Sequence, residues 1–178
     1  MDILIRQEHP SDTKSITEVV RIAFLNEEHS DKLEHHLVNK IRESDAFIPE
    51  LSLIALDKRN NEIVGHILLS KITIVDDKKA INSLALAPVS VTPQRQNGGI
   101  GTLLIQSALK KAEEVGFQSV IVLGHQNYYP KFGFKRASLW KVQAPFEVPD
   151  ENFMAIELTK DALSHVQGTV HYSKAFSE

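Results

Sequence analysis

The stretch from Leu84 to Gly116 restricts the fold of this chain more than any other part of the sequence. Its first part is apolar and rich in valine and leucine, as is typical of a buried strand. Polar residues and three glycines then interrupt the apolar run at 93–101 (PQRQNGGIG). From Ile100 onward, apolar residues recur at the spacing of one helical face, and Gly116 stands where a C-terminal capping glycine is common. The stretch therefore predicts a strand, a glycine-rich turn and a long amphipathic helix.

A glycine-rich turn that opens a helix can bind phosphate groups. It presents free backbone N–H groups and the positive end of the helix dipole, and glycine lets a ligand approach the backbone closely. An ordinary strand–helix connection could have the same composition, so the turn alone does not decide between the two interpretations. Two other phosphate loops are absent, because the chain contains neither G-x-x-x-x-G-K-[ST] nor G-x-G-x-x-G.

Two segments resemble motifs of the GNAT superfamily of acetyl-coenzyme A-dependent N-acetyltransferases. Residues 96–101 (QNGGIG) fit the superfamily signature Q/R-x-x-G-x-G/A, and residues 129–134 (YPKFGF) resemble its Tyr-x-x-x-Gly-Phe segment. Two motifs in the right order are more specific than either motif alone. The resemblance covers nearly the whole chain, and residues 146–158 (FEVPDENFMAIEL) are typical of a bacterial YhbS-like branch.

The sequence departs from the superfamily pattern in two places. Asn97 and Gly98 replace the glycine and the basic residue that are common within the loop, which alters how the loop would hold phosphates. The Asn-x-x-Ala that many members carry before the tyrosine is missing, and residues 124–127 (GHQN) stand in its place.

The resemblance implies both a fold and an activity. The expected fold is α+β, a mixed and mostly antiparallel sheet flanked by helices, with splayed central strands and one domain over residues 1–178. The expected reaction is direct transfer of acetyl from acetyl-CoA to a primary amine of a small molecule. A protein or peptide amine is an alternative acceptor, and an acetyl-CoA-binding sensor without turnover is a further alternative. Glu28, Glu147 and His125 are candidates for the general base, and a water chain without a single base is equally compatible with the sequence.

The resemblance also implies roles for individual residues. Tyr129 occupies the position of the tyrosine that protonates the departing thiolate, with the adjacent Tyr128 as the alternative. Pro88 interrupts a predicted strand, and a bulge or splayed edge there would admit the pantetheine arm. The N–H of Val89 is a candidate for polarising the thioester carbonyl. The expected contacts to acetyl-CoA come from Val89, Val91, Gln96, Asn97, Gly98, Gly99, Ile100, Gly101 and Thr102.

The rest of the chain predicts further strands and helices. The apolar pattern of residues 16–24 predicts one helix, and a second is expected after a cap at Ser30 or Asp31, with Leu33 on its inner face. Strands are predicted at 2–6, 51–57, 62–75, 81–91, 118–123, 136–143 and 153–158, with a short one near Val170. Strands joined by tight turns and followed by one strand–helix–strand unit indicate a mixed sheet in an α+β arrangement.

Polar residues within these elements have simple structural interpretations. His66 lies in the apolar run VGHILLS, and we expect it to be a hydrogen-bonded residue of the sheet. The resemblance implies that the first two helices and the loop between them border the acceptor-substrate site, where this chain has Glu27, Glu28, His29, Glu34, His35 and His36. Two interpretations stay open for these residues: a ligand or base role in that site, or a solvated helix face. Because those of the second helix are consecutive rather than spaced along one face, they do not predict a metal site.

Composition limits the classes of protein that the chain could represent. With 178 residues, 42% of them hydrophobic, one sizeable core can form. The net charge of -3 does not indicate binding to nucleic acid or to an anionic membrane. No apolar run reaches transmembrane length, and the N-terminus lacks the apolar core of a signal peptide. Without cysteine the chain can form neither a disulfide nor a thiolate metal site. We expect a cytoplasmic protein without a metal, and a homodimer is compatible with the sequence.

Overall fold

In the computed structural model, which describes residues 2–77 and 79–177, a nine-stranded sheet carries three α-helices. The helices are α1 (Thr13–Phe24), α2 (Glu34–Arg42) and α3 (Ile100–Glu114). The strands are β1 (Ile3–Gln7), β2 (Ser52–Asp57), β3 (Glu62–Asp76), β4 (Lys79–Val91), β5 (Ser119–Leu123), β6 (Lys135–Arg136), β7 (Val142–Gln143), β8 (Phe153–Glu157) and β9 (Gly168–His171).

The sheet is mixed and mostly antiparallel, as the sequence predicts. Its strands follow the order β1-β2-β3-β4-β5-β8-β6, and β9 pairs with β3 and with β7 beside this path. The pairs β4–β5 and β7–β9 are parallel, and the other pairs are antiparallel. A crossover through α3 joins β4 to β5, as expected for parallel neighbours.

Helices cover both faces of the sheet. Apolar side chains of α1 and α2, including Ile16 and Val38, pack with Ile54 and Leu68 on one face. The buried residues of α3 pack on the other face against β2, β3 and β4. Because successive strand residues point to opposite faces, the two-sided cover explains why β2 and β3 are apolar almost throughout. Among the described residues, no helix is both long and apolar enough to cross a membrane.

Two predictions about helices and strands are wrong in detail. Helix α2 starts at Glu34 rather than directly after a cap at Ser30 or Asp31, because Lys32 takes a left-handed conformation (φ 64°) and turns the chain. Leu33, expected on the inner face, is consequently 52% exposed. The predicted strand at 136–143 is two short strands separated by a 3₁₀ helix at Ala137–Trp140.

The central strands β4 and β5 diverge near their carboxyl ends. They pair only at Leu84 with Val120 and at Ala85 with Ile121. The β3–β4 register shifts between Ile67 and Leu69, so that Ala87 and Pro88 together lie opposite one residue of β3. This arrangement is a β-bulge, which bends the strand and interrupts pairing. The bulge and splay expected at Pro88 are confirmed.

Candidate active site

A pocket of about 590 Å³ lies where β4 leaves its partner and the chain enters α3. Most of the residues singled out in the sequence line this pocket: Val89, Val91, Gln96, Asn97, Gly99, Ile100, Gly101 and Thr102. The structure therefore brings the strand end, the glycine loop and the first turn of α3 around one space. Gly98 and Tyr129 are not part of its wall.

The loop ahead of α3 has the backbone shape that its glycines suggest. Asn97 and Gly99 have positive φ angles of 65° and 88°, and Gly99 is the N-cap residue of α3. The carbonyl of Gly99 accepts a hydrogen bond from the N–H of Leu103 at 3.1 Å, which begins the helix. The N–H groups of the first helical turn have no partners within a helix, so they form a positive rim on the pocket.

Gln96 holds this loop against the end of β4. Its side-chain nitrogen donates a hydrogen bond to the carbonyl oxygen of Val91 at 3.0 Å. The N–H of Arg95 donates to the carbonyl of Thr92 at 2.9 Å, within the 3₁₀ helix Pro93–Arg95. The amide of Gln96 thus positions the loop.

The backbone groups of Val89 and Val91 face the gap beside β4. The N–H of Thr92 donates to the carbonyl of Val64 on β3 at 2.9 Å, so the backbone at Thr92 points toward β3. In an antiparallel pair, consecutive residues point their N–H and C=O groups to opposite sides. The groups of Ser90 therefore point toward β3, and those of Val89 and Val91 point into the gap.

Tyr129 is fixed at the carboxyl end of β5. The residue is 8% exposed, and its ring packs at 5.7 Å, centre to centre, against that of Phe134. A Cβ atom on Gly124, the residue after β5, would collide with that ring. Burial, with a smaller effect of Tyr128, raises the pKa of Tyr129 to about 12. Tyr129 is therefore a neutral phenol at any physiological pH.

Tyr128 lies closer to the start of α3. It lines the pocket, and its hydroxyl is 3.1 Å from the position that a Cβ on Gly101 would occupy. The Nζ atom of Lys131 lies 4.2 Å from the centre of the Tyr128 ring, within the range of a cation–π contact. The two tyrosine rings meet edge to face with centres 5.1 Å apart. Of the two tyrosines, only Tyr128 lines the pocket.

Charged side chains also line the pocket. Lys131 and Glu27 line it, as does Arg95. Lys131 belongs to the Tyr-x-x-x-Gly-Phe segment, which was a usable signal, whereas Glu27 arrives from the distant loop after α1. Within the described part of the chain, no group of three or more His, Asp or Glu side chains could hold a metal ion.

Arg95 is held by a buried carboxylate. Its Nη1 atom donates to Oδ2 of Asp57 at 2.7 Å, and the Asp57 side chain is 1% exposed. Hydrogen bonds from Arg59 and then Arg95 hold the pKa of Asp57 well below its usual range. The three sequence candidates for a general base, Glu28, Glu147 and His125, do not line the pocket.

Comparison with known proteins gives consistent matches. Residues 15–134 match the Acetyltransferase (GNAT) family. The chain is 34% identical over 143 residues to the uncharacterized N-acetyltransferase YjhQ of Escherichia coli K12, covering 80% of this chain and 75% of YjhQ.

Solved structures give the same result. The crystal structure of the GNAT family N-acetyltransferase YhbS of Escherichia coli in complex with CoA has a TM-score of 0.89 and 25% identity, covering 100% of this chain and 93% of YhbS. The structure of a GNAT family acetyltransferase of Brucella melitensis in complex with acetyl-CoA has a TM-score of 0.80 and 30% identity. The match covers 98% of this chain and 97% of the Brucella chain.

Proposed function

Since this chain belongs to the GNAT family of acetyltransferases, we propose that it transfers acetyl from acetyl-CoA to a primary amine of a small molecule. The observation that carries this proposal is the pocket at the end of β4, beyond the point where β4 parts from β5, bounded by the first turn of α3. Its residues fit the chemistry of a phosphorylated thioester substrate. Two structural relatives were crystallised with CoA or acetyl-CoA.

The glycine loop and the first turn of α3 would hold the pyrophosphate. Backbone N–H groups from Asn97 to Thr102 supply donors, and the helix N-terminus favours a negative charge. Arg95 and Lys131 add positive charge at the pocket wall. Because Asp57 partly neutralises Arg95, we assign most of the phosphate affinity to the backbone donors.

The gap-facing backbone of β4 would hold the pantetheine arm. Val89 and Val91 can donate and accept hydrogen bonds there as a neighbouring strand would. The N–H of Val89 follows directly after the bulge, and we assign it to polarise the thioester carbonyl.

The reaction is a direct attack of the neutral amine on the thioester carbon. The new C–N bond forms as the C–S bond breaks, and the electron pair leaves on sulfur. The amine loses one proton and the departing thiolate gains one. Alignment of the two reactants supplies much of the rate, since the thioester is already activated.

We propose that Tyr129 donates the proton to the thiolate. It is anchored on Gly124 at the end of β5, the strand that borders the gap, and burial keeps its phenol protonated. Tyr128 is the second candidate because its hydroxyl lies beside Gly101 and it lines the pocket. In our assignment Tyr128 contacts the phosphate end of the substrate and Tyr129 the sulfur end.

An acceptor screen tests the proposal. Acetyl-CoA is mixed with a polyamine, an arylethylamine, an aminoglycoside or a free amino acid, and with a lysine-containing peptide, while release of the CoA thiol is followed with a thiol reagent. We expect turnover with at least one small amine and little with the peptide. Faster turnover of the peptide would identify a protein acceptor. Tight acetyl-CoA binding without turnover of any amine would support the sensor alternative.

A further inference from the structure

A second pocket, of about 710 Å³, lies beside the start of β8. It is lined by β7, by the segment 144–150 that follows β7, and by Phe153, the first residue of β8. Among the described residues, it shares no lining residue with the pocket assigned to acetyl-CoA. Its volume is within the range of small-molecule sites, about 300–1,000 Å³.

Strand alternation places this second pocket on the face of the sheet that α3 does not cover. Phe153 packs in one cluster with Ala85 and Ile121. Ala85 and Ile121 are the last paired residues before β4 and β5 diverge. The residues before them, Leu84 and Val120, point the other way and pack with α3. The second pocket therefore adjoins the gap between β4 and β5 from the face opposite α3.

An exposed leucine lies between the second pocket and the gap. Leu123, the last residue of β5, pairs directly with Phe153, so the two side chains lie on the same face. Leu123 is 46% exposed, although the rest of β5 is buried. Neighbouring strands lie about 4.8 Å apart, so a molecule held over Phe153 is within about 5–10 Å of the gap. A short alkyl arm can span that distance over the Leu123 side chain.

The proposed reaction brings the amine to this same face. Tyr128 and Tyr129 pack in the cluster on the α3 face, and the glycine loop that would hold the pyrophosphate opens α3. The departing sulfur and its proton donor are thus assigned to the α3 face. The amine then approaches the thioester carbon from the opposite face, where the second pocket lies.

The wall of the second pocket is largely apolar. Phe146 is half-exposed, and its ring stacks on that of Tyr172 with centres 6.1 Å apart. Val148 and Phe153 extend the apolar surface on the lining. An aromatic side chain fixed by a second ring presents a flat surface on which the ring of a ligand can stack.

The charge of the second pocket favours a cation. Glu147 and Asp150 line it, and within the described part of the chain no Lys or Arg does. Arg136 lies 3.5 Å from Asp150, but both side chains are more than half exposed, so water and salt screen this pair. A ligand that carries its own carboxylate would meet like charges there.

We propose that the second pocket is the acceptor site and that it takes an arylalkylamine, an aromatic ring whose short alkyl arm ends in an amine and carries no carboxylate. The ring packs on Phe146, the arm crosses Leu123, and the amine reaches the thioester in the gap. The inference rests on the proposed acetyl transfer and names its acceptor class. The apolar wall selects against polyamines and aminoglycosides, and the carboxylates select against free amino acids.

Binding without turnover tests the pocket directly. Trp140 is the only tryptophan of the chain, and it packs on the same cluster as Phe153. With CoA in place of acetyl-CoA, 2-phenylethylamine should change the fluorescence of Trp140 saturably. Putrescine, which lacks the ring, and phenylalanine, which adds a carboxylate, should each bind at least about 10-fold more weakly. Equal affinity for either of them would overturn the acceptor class.

Phe146→Ala and Leu4→Ala form a matched pair of variants. The two side chains are 48% and 42% exposed, and Leu4 lies on β1, outside the lining of the second pocket. Phe146→Ala should raise both the Kd and the KM for 2-phenylethylamine at least about fivefold, while kcat and CoA affinity stay nearly unchanged. Leu4→Ala should alter none of these values. Equal effects of the two variants would contradict the assignment of the pocket.

Glu147→Gln tests the contribution of charge. It should reduce the preference for 2-phenylethylamine over phenylalanine by about threefold, on the scale of one exposed charge pair. Glu151→Gln, which removes a carboxylate outside the lining, should leave the preference unchanged. A preference that does not respond to Glu147→Gln would refute the role of this carboxylate in selecting the acceptor.

Failure of this inference and failure of the acetyl transfer give different results. Saturable binding of 2-phenylethylamine that depends on Phe146, without acetylation of any amine, would support the pocket and count against the transfer. Rapid acetylation of an amine that neither changes Trp140 fluorescence nor depends on Phe146 would support the transfer and refute the second pocket as its acceptor site.

Discussion

The side-chain amide of Gln96 donates a 3.0 Å hydrogen bond to the carbonyl of Val91, which joins the glycine loop to the end of β4. Both residues line the pocket, Val91 at the end of β4 and Gln96 in the loop that follows. One side chain therefore sets the spacing between the backbone donors proposed for the pyrophosphate and the backbone groups proposed for pantetheine.

Replacing Gln96 should loosen this connection. We expect Gln96→Ala to weaken CoA binding by about 3–10-fold, the equivalent of one neutral hydrogen bond of about 1 kcal/mol. Isothermal titration calorimetry measures the change. Gln94→Ala, two residues earlier in the same loop, is the control and should bind CoA normally, and an equal loss in both variants would contradict the specific role of Gln96.

A side chain at Gly101 should block the pocket. Its Cβ would lie 3.1 Å from the Tyr128 hydroxyl and at the start of α3, where valine is tolerated better than glycine. Gly101→Val should therefore fold and lose CoA affinity by about 100-fold or more. Gly99 is less suitable, because its φ of 88° would strain any replacement. Gly98→Ala, where the Cβ meets only the Arg95 carbonyl at 3.5 Å, should bind nearly as well as the unmodified chain.

Arg95 should contribute modestly to affinity. Because its guanidinium is already paired with Asp57 at 2.7 Å, we expect Arg95→Ala to weaken CoA binding by about tenfold or less. The dependence of Kd on salt should become slightly less steep. A loss of several hundredfold would show that this cation, and not the backbone, anchors the phosphates.

Tyr129 should act on the rate and not on affinity. Tyr129→Phe keeps the buried ring and removes its proton, so kcat should fall by about 10²-fold with CoA affinity nearly unchanged. Steady-state kinetics with the best amine of the screen measures this. Tyr128→Phe is the matched control and should be mild in kcat. The reverse pattern would transfer the proton-donor role to Tyr128.

Glu8 should make the protein sensitive to acid. Burial alone would raise its pKa, but hydrogen bonds from His66, Arg42 and Ser52 lower the pKa to about 2 in the folded protein, against an ordinary value of 4.5. Its stabilisation is therefore present above about pH 4.5 and disappears as the pH falls toward 2. At pH 7, Glu8→Gln should lower the free energy of unfolding by on the order of 2–3 kcal/mol. When the free energy of unfolding is measured with denaturant, the difference between Glu8→Gln and the unmodified chain should be smaller near pH 3 than at pH 7. Glu113→Gln, an exposed change on α3, should have little effect at either pH.

The sequence could not give several features of the site, for physical reasons. Asp57 and Arg95 are 38 residues apart, and Glu8 and Arg42 are 34 apart, so only the folded chain brings each pair together. A sequence does not distinguish a charged residue in a solvated position from one that forms a buried, hydrogen-bonded ion pair. The 3₁₀ helix at Ala137–Trp140 was missed because short apolar segments fit a strand or a helical turn equally well.

By itself, the sequence determined the order of strand, glycine loop and α3, and the interruption of β4 at Pro88. These features depend on neighbouring residues: side-chain periodicity, the conformational freedom of glycine and the missing N–H of proline. Only the tertiary structure decided that Tyr128 lines the pocket while Tyr129 packs on Gly124, and that Leu123 pairs with Phe153. Those relationships depend on strand register and on how the end of β5 packs, which arise from contacts between residues distant in the chain.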